Sequence, residues 1–206
     1  MSGNPRAEGK PALYLEILRF SCNFAIGADS LKTEKEMTEL LLASAWLQGQ
    51  VTTPDKFIYK AGINPAIFPR GIDALLNLPH EGLCQEWSLF LKALNHSQGG
   101  SLWFLAISLT DEQINADLRI WDKTPIPKTL VGLGGTNQIP PNPPWLFDNH
   151  AYNSFNLNRV YDLSFNRKNL SEENHINSLF ELVNKLDGST IPNPFPDSIH
   201  LFINHQ

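Results

Sequence analysis

Proline restricts the fold of this chain more than any other residue, because its 15 copies are concentrated in a few segments. Six prolines lie between residues 125 and 144, and three more lie between residues 192 and 196. Proline lacks a backbone N–H and fixes its own φ angle, so helix interiors and central strands exclude it. We therefore expect residues 125–144 to be long, irregular chain, with the regular elements on either side.

The segment after this proline cluster is rich in asparagine and in aromatic side chains. It holds nine asparagines between residues 142 and 177. A flexible linker would instead be rich in glycine, serine and charge, so we expect an ordered, irregular arm over residues 140–161 that packs on another surface. Interface cores are enriched in aromatic residues. The predicted interface residues are aromatics of this arm and of an apolar helix, namely Trp46, Trp145, Phe147 and Tyr152.

Hydrophobic periodicity predicts the elements before the prolines. Alternation over residues 13–20 predicts a strand. Thr33 begins a capping box, so a helix is predicted over residues 34–48. Apolar residues at helical spacing from Leu83 onward predict a second helix. The continuous apolar run at residues 102–109 is typical of a central strand that is covered on both faces.

The same patterns place further elements in the rest of the chain. Residues 118–121 and 129–133 are candidate strands on either side of two prolines. Ser171 is followed by apolar residues at helical spacing, and Gly188 is a helix-ending residue, so a long helix is predicted between them. Residues 198–203 alternate and predict a last strand.

These elements predict an α+β fold with one mainly antiparallel sheet of about five to seven strands, three main helices and the long irregular arm. A length of 206 residues suits one domain. We expect a flexible tail over residues 1–11 and a single domain over residues 12–206. A sub-lobe boundary is predicted near residue 132, where the composition changes.

Charge and composition exclude several classes of protein. Charged residues make up 18% of the chain and the net charge is −5, whereas a protein that coats DNA or anionic lipid normally carries the opposite sign. The N-terminal residues contain no apolar signal segment, and the apolar runs are too short to cross a bilayer. We therefore expect a cytoplasmic protein without membrane binding, in which Cys22 and Cys84 are reduced core residues.

The sequence offers few candidates for catalysis. Its six histidines lack metal-binding spacings and no cofactor motif is present, so we expect neither a metal nor a cofactor. Asp148 and His150 form an acid/base candidate on the arm, although an Asx turn is the simpler explanation of Asp148. Cys84 begins a predicted helix, where the helix dipole favours a thiolate, but the charges of Glu81 and Glu86 oppose this.

One segment has features of a DNA-binding motif. Residues 53–72 have a glycine turn between two short candidate helices, with Lys56, Lys60 and Arg70 as candidate nucleic-acid contacts. Against this, Pro69 falls inside the would-be recognition helix, where proline costs about 3 kcal/mol.

The opening of the chain resembles a family of ribonucleoprotein subunits. A strand ending in Arg19-Phe20, the segment from Phe24 to Gly27 and a following apolar helix are similar to the start of ferredoxin-like subunits in the RAMP superfamily of CRISPR effector complexes. The glycine-rich turn at residues 132–135 is similar to the glycine loop of those subunits. The resemblance covers a minor part of the chain and implies an RNA-bound complex subunit. The acidic net charge departs from what an RNA-gripping surface needs.

Three classes of function follow from these patterns. Low charge density, the apolar helix and the aromatic arm favour a non-catalytic protein-interaction subunit of a larger intracellular assembly. The first alternative is a nucleic-acid-associated protein, either a subunit of a CRISPR-type ribonucleoprotein complex or a helix-turn-helix factor. The second alternative is a small-molecule enzyme that uses Asp148 and His150.

Overall fold

The computed structural model places the helices, the strands and several of the turns between them. The described residues are 11–26, 33–48, 57–59, 72–76, 80–109, 111–122, 146–147, 149–155, 158–164, 166–171, 174–176, 180–184, 186–187 and 189–191, with position 110 and the other gaps outside them. The predicted tail, apart from residue 11, lies outside this part of the chain. The predicted strands at residues 129–133 and 198–203 and the predicted boundary near residue 132 lie outside it as well.

Helices dominate the first half of the described chain and strands dominate the second. The helices are α1 (Pro11–Phe24), α2 (Glu34–Gln48), α3 (Asp73–Leu76), α4 (Cys84–Ser97) and α5 (Asp111–Asn115). The strands are β1 (Ile58–Tyr59), β2 (Glu81–Gly82), β3 (Trp103–Ser108), β4 (Leu118–Asp122), β5 (Leu146–Phe147), β6 (Asn149–Phe155), β7 (Arg159–Asp162), β8 (Arg167–Leu170), β9 (Phe180–Asn184) and β10 (Thr190–Ile191).

The strands form two antiparallel sheets and one short parallel pair. One sheet has the order β3-β6-β7-β8, the other has the order β10-β9-β4-β5, and β1 pairs with β2. The α+β class is therefore confirmed, with α1, α2 and α4 as the main helices. The described strands divide between two four-stranded sheets rather than joining one sheet of five to seven. No helix in the described ranges combines the length and the apolarity that a bilayer span requires.

The first predicted strand is wrong, because this segment is the helix α1. Its buried residues Ile17, Phe20 and Phe24 recur at helical spacing. Glu16 and Arg19 lie on its outer face, three residues apart, and form an ion pair of 2.7 Å. Most residues here are apolar, so the same sequence also satisfies the alternation of a strand. The RAMP resemblance depended on a strand at this position and loses that support.

The predicted helix after Ser171 is correct only at its start. The backbone carbonyl of Ser171 accepts a 2.8 Å hydrogen bond from the N–H of His175, which closes one helical turn. The chain then forms β9, which pairs with β4 and β10. The N–H of Asn184 donates to the carbonyl of Ser189 at 2.9 Å across the β9–β10 turn. The Asp-Gly pair at residues 187–188 is a hairpin signal that the helical spacing obscured.

The predicted irregular arm is strand wherever its residues are described. β6 pairs with both β3 and β7, and Tyr152 and Tyr161 are fully buried in the chain's own interior. Asparagine fits inside this strand because the Nδ2 group of Asn153 donates to the carbonyls of Ser88 and Trp103. β3 was predicted to be a central strand, but among the described strands it lies at one edge of this sheet.

α4 lies at the centre of the hydrophobic core and contacts α1, α2, α3 and β6. Phe57, which precedes β1, packs against five other rings, one of which is the imidazole of His80 at a centroid distance of 5.6 Å. Its ring centroid lies 5.4 Å from Phe20, 6.0 Å from Phe24, 5.1 Å from Trp87 and 5.3 Å from Phe90. Edge-to-face and tilted pairs of this kind contribute roughly 0.5–1.5 kcal/mol each beyond the burial of apolar area.

Asn95 joins the C-terminal end of α4 to α2 and to the chain entering β3. Its Nδ2 group donates to Thr38 Oγ1 at 2.8 Å, and its Oδ1 accepts from the N–H of Leu102 at 3.0 Å. The Asn95 carbonyl accepts from the N–H of Gly100, and a Cβ at that glycine would overlap the Asn95 side chain. This buried amide therefore fixes where β3 begins relative to α4.

Asn95→Ala is expected to lower the free energy of unfolding by about 2–4 kcal/mol, because the buried N–H of Leu102 loses its acceptor. Urea denaturation measures the change. Asn115→Ala, at an exposed position on α5, is the control and is expected to stay within about 0.5 kcal/mol of wild type. Equal effects of the two substitutions would contradict the structural role of Asn95.

Candidate active site

Cys84 is the first residue of α4, and hydrogen bonds on both sides of it fix the chain there. The N–H of Leu83 donates to Glu86 Oε2 at 2.9 Å, and Trp87 Nε1 donates to the carbonyl of Gly82 at 2.9 Å. The cysteine is a free thiol with 6% of its surface exposed.

Both cysteines are free thiols, but the prediction that both lie in the core is correct for only one of them. Cys84 is buried in the core, as expected, whereas Cys22 is exposed on α1. Ser21, the preceding residue, lies on the buried face of α1, and Cys22 therefore lies on the face that points away from the core. The two cysteines therefore occupy contrasting environments in one chain.

His150 and Asp162 come from the neighbouring strands β6 and β7. Asn153 pairs with Tyr161, so continuing this antiparallel register by one residue places Asp162 opposite Tyr152. Asp162 is then diagonal to His150 on the same face of the sheet. Diagonal neighbours are within reach of long side chains.

The imidazole and the carboxylate meet in a fully buried hydrogen bond. His150 Nε2 lies 2.7 Å from Asp162 Oδ2, and neither side chain is exposed. The N–H of Ser164 donates to Asp162 Oδ1 at 3.0 Å. A nitrogen–oxygen distance of this length is typical of a charge-assisted hydrogen bond. The sheet and the turn after β7 therefore hold the carboxylate against the imidazole.

The thiol of Cys84 completes the arrangement. The Cys84 sulfur acts on the His150 imidazole and raises its pKa. Nε2 of the same ring is hydrogen-bonded to Asp162. A thiol, an imidazole and a carboxylate in this order form the nucleophile, the base and the group that orients the base.

Charge interactions control the protonation of the pair. Burial acts to lower the pKa of His150, but the Asp162 carboxylate and the Cys84 sulfur outweigh it and raise the pKa to about 10. Burial acts to raise the pKa of Asp162, but His150 and His175 hold it well below its usual range. Near neutral pH, His150 is therefore an imidazolium beside a carboxylate.

A second imidazole lies on the other side of the carboxylate. His175 Nε2 is 3.3 Å from Asp162 Oδ2, and the His175 side chain is fully buried. Its ring packs on Tyr152 with a centroid distance of 5.0 Å. Burial lowers the pKa of His175 despite the opposing effect of the Asp162 carboxylate. His175 is therefore a neutral imidazole beside the charged pair.

These side chains also form a possible metal-ligand set. His150, Asp162 and His175 each offer one donor atom, and these atoms all lie within 4.8 Å of one another. Ligands around one zinc ion would be about 3.3 Å apart, because Zn–N and Zn–O distances are about 2.0–2.1 Å. The contact of 2.7 Å between His150 and Asp162 is shorter than this separation. The cluster therefore holds a direct hydrogen bond in this structure and also offers three donor atoms to a metal ion.

The structure places the sequence-selected residues in different surroundings. His150 is in the site, with Asp162 as its carboxylate partner, whereas Asp148 lies outside the described residues, as do Lys56, Lys60, Arg70 and Trp145. Trp46 is half-buried on α2 and packs on the core, and Phe147 lies in β5. Tyr152 is buried between the two imidazoles, in contact with both rings.

Sequence reasoning missed Asp162 and His175 as site residues. The partner of His150 was expected close to it in sequence, at Asp148, but strand pairing brings His150 to a carboxylate twelve positions away. The available signal was a cysteine at a helix start, followed by a histidine in one strand and an aspartate in the next. That signal required the β6–β7 pairing, which the prediction of an irregular arm concealed.

Comparison with protein-family models, with curated proteins and with solved structures finds no match for this chain. The arrangement of Cys84, His150 and Asp162 is therefore the basis on which function is proposed.

Asp162→Asn is expected to lower the pKa of His150 from about 10 to below about 6.5, because burial then acts on the imidazole without an opposing carboxylate. An NMR titration of the histidine Cε1–H signals measures the change, with His150→Gln used for assignment. Asp187→Asn removes an exposed carboxylate and is the matched control. An unchanged His150 titration in Asp162→Asn would show that the pair does not control the imidazole.

Proposed function

We propose that the chain is a thiol-dependent enzyme that transfers or hydrolyses acyl groups, with Cys84 as nucleophile, His150 as acid and base, and Asp162 as the residue that orients His150. The observation that carries this proposal is the fully buried hydrogen bond of 2.7 Å between His150 Nε2 and Asp162, on an imidazole whose pKa is also raised by the sulfur of Cys84, the first residue of α4. Thiolates attack carbonyl carbon, so the substrate class is an amide, an ester or a thioester.

The first half of the proposed reaction forms a thioester. The Cys84 thiolate donates an electron pair to the acyl carbon of the substrate, and a tetrahedral oxyanion forms. Collapse of this intermediate breaks the bond to the leaving amine, alcohol or thiol. The leaving group takes the proton from Nδ1 of the His150 imidazolium, which becomes neutral. The acyl group is then bound to the sulfur.

The second half releases the acyl group. Neutral His150 accepts a proton from water, and the resulting hydroxide attacks the thioester carbon. The carbon–sulfur bond breaks, the carboxylic acid leaves, and the thiolate–imidazolium pair is restored. An amine or alcohol in place of water gives acyl transfer. The charge of Asp162 keeps the imidazole oriented and stabilises its protonated form in both halves.

The cost of burying these charges also supports a functional role. Replacing a buried ion pair by apolar residues is often neutral or stabilising, so such a pair adds little to the stability of a fold. Perturbed titratable groups that converge on a nucleophile are characteristic of active sites. Glu86, which would oppose a thiolate at Cys84, accepts a hydrogen bond from the N–H of Leu83.

The other functional hypotheses stay predictions of the sequence. An interaction subunit remains compatible with a catalytic site, and its test rests on Trp145, which lies outside the described residues. The nucleic-acid alternative depends on Lys56, Lys60 and Arg70, which lie outside them too. Lys168, another basic residue, is 3.3 Å from the carboxylate of Glu39.

Iodoacetamide is expected to alkylate Cys84 faster than Cys22, because Cys84 is the thiol to which the proposal assigns a base, His150. Peptide mapping by mass spectrometry measures both rates in the same sample. The exposed Cys22 is the internal control, since access alone would make it the faster of the two.

His150→Gln is expected to abolish the advantage of Cys84 over Cys22, because the Cys84 thiol then has no imidazole to accept its proton. Zinc and a chelator are added in separate samples. A Cys84 that reacts no faster than Cys22 with or without chelator would contradict the proposed nucleophile. Stoichiometric zinc that blocks the reaction would instead support the metal-ligand alternative at His150, Asp162 and His175.

A further inference from the structure

We infer that His150, Asp162 and His175 form a binding site for one zinc ion. The inference goes beyond the proposed function, because the metal site needs only these three side chains, whether or not Cys84 is a nucleophile. Where both hold, the ion occupies the imidazole that the reaction uses as its base, and zinc is an inhibitor of the enzyme.

Three separate segments bring the donor atoms of this site together. His150 lies in β6, Asp162 is the last residue of β7, and His175 lies in the helical turn that begins at Ser171. One donor atom of each residue lies within 4.8 Å of the other two, and all three side chains are fully buried. Because the ligands are distant in sequence, the histidines have none of the short spacings of a metal-binding motif.

The distances between the donor atoms suit a zinc ion. Zn–N and Zn–O distances of about 2.0–2.1 Å place two tetrahedral ligands about 3.3 Å apart. His175 Nε2 and Asp162 Oδ2 already have this separation, at 3.3 Å. His150 Nε2 lies 2.7 Å from the same oxygen, so the two atoms have to move apart by about half an ångström to share the ion.

The chemistry of the donors selects zinc over the hard cations. Imidazole nitrogen suits zinc and its neighbours among the transition metals, and zinc takes three protein ligands of these types with a fourth position open. Calcium and magnesium bind through about six or more oxygen atoms, whereas this cluster offers one carboxylate. The ion also gives the buried carboxylate the positively charged partner that an anion inside a protein requires.

Contacts outside the cluster hold the ligands in position. The N–H of Ser164 donates to Asp162 Oδ1 at 3.0 Å, while Oδ2 faces the two imidazoles. The Tyr152 ring lies 5.0 Å from the His175 ring and 6.4 Å from the His150 ring, so it packs on both. Outer partners of this kind orient the ligands of a metal and raise its affinity.

Bound zinc and the proposed reaction exclude each other. A neutral imidazole that binds zinc through Nε2 carries its proton on Nδ1, so His150 could not accept a proton from the thiol or from water. The ion would also separate His150 from Asp162, which orients it in the reaction. Zinc is therefore expected to prevent acetylation of Cys84, and this consequence alone rests on the proposed function.

Zinc binding is measured on the full chain with Cys22→Ser and Cys84→Ser, so that no thiol contributes. Zinc is added to the folded chain in one sample and during refolding in another, because a buried site can be loaded as the chain folds. One zinc ion per chain is expected after loose metal is removed. Competition with a chromophoric chelator gives the affinity, and calcium and magnesium are expected not to bind.

His175→Phe in this background is expected to weaken zinc binding by more than about a hundredfold, because loss of an outer partner alone costs about 10–100-fold. His96→Gln removes an exposed imidazole on α4 and is the matched control, with no change expected. Circular dichroism of the metal-free chains checks the fold. Should His175→Phe not fold, X-ray absorption of the zinc-loaded background chain makes the test, and scattering from two imidazoles is expected.

A chain that retains no zinc by either route would overturn the inference. So would a folded His175→Phe variant that binds zinc as tightly as the background chain, or a zinc ion with a single imidazole ligand. Failure of the proposed function gives a different result, because acetylation of Cys84 by p-nitrophenyl acetate is measured on zinc-free wild type. Zinc binding without acetylation leaves the metal site and removes the enzyme, and acetylation without zinc binding does the reverse.

Discussion

The buried hydrogen bond between His150 and Asp162 is the interaction on which the described site depends. Two charges inside a protein are stable only when they are paired and when their remaining hydrogen-bonding groups are satisfied. Here the backbone N–H of Ser164 donates to one carboxylate oxygen, the His175 ring lies 3.3 Å from the other, and the Cys84 sulfur raises the pKa of the imidazole. The register between β6 and β7 sets the position of the imidazole relative to the carboxylate. The residue at which α4 begins sets the position of the thiol.

α4 links this site to the rest of the fold. Its first residue is Cys84, and its C-terminal end is fixed by the buried amide of Asn95. Between them, Trp87 and Phe90 pack into the aromatic core around Phe57. The same helix contacts β6, which carries His150. A rigid helix packed in this way fixes the sulfur relative to the strand that supplies the imidazole, as a preorganised active site requires.

The sequence was sufficient for elements with strong local signals and insufficient for those that depend on pairing. The capping box at Thr33 correctly predicted α2, and the apolar run from residue 102 correctly predicted β3 as a strand. α1 was assigned as a strand because a nearly uniform apolar segment satisfies both periodicities. β9 was assigned as a helix because its tertiary partners, β4 and β10, override local spacing. His150 and Cys84 were visible as candidates, but Asp162 becomes a partner only through the register of β6 and β7.

The most direct test of the catalytic unit is the acetylation of Cys84 by p-nitrophenyl acetate, located by mass spectrometry in samples quenched with acid at short times. Wild type is expected to carry the acetyl group on Cys84, and His150→Gln is expected to carry much less, because the thiol then has no base. Asp162→Asn is expected to carry less as well, because it removes the carboxylate that orients the imidazole. Wild type that is folded by circular dichroism and is not acetylated at Cys84 would contradict the assignment of Cys84, His150 and Asp162 as a catalytic unit.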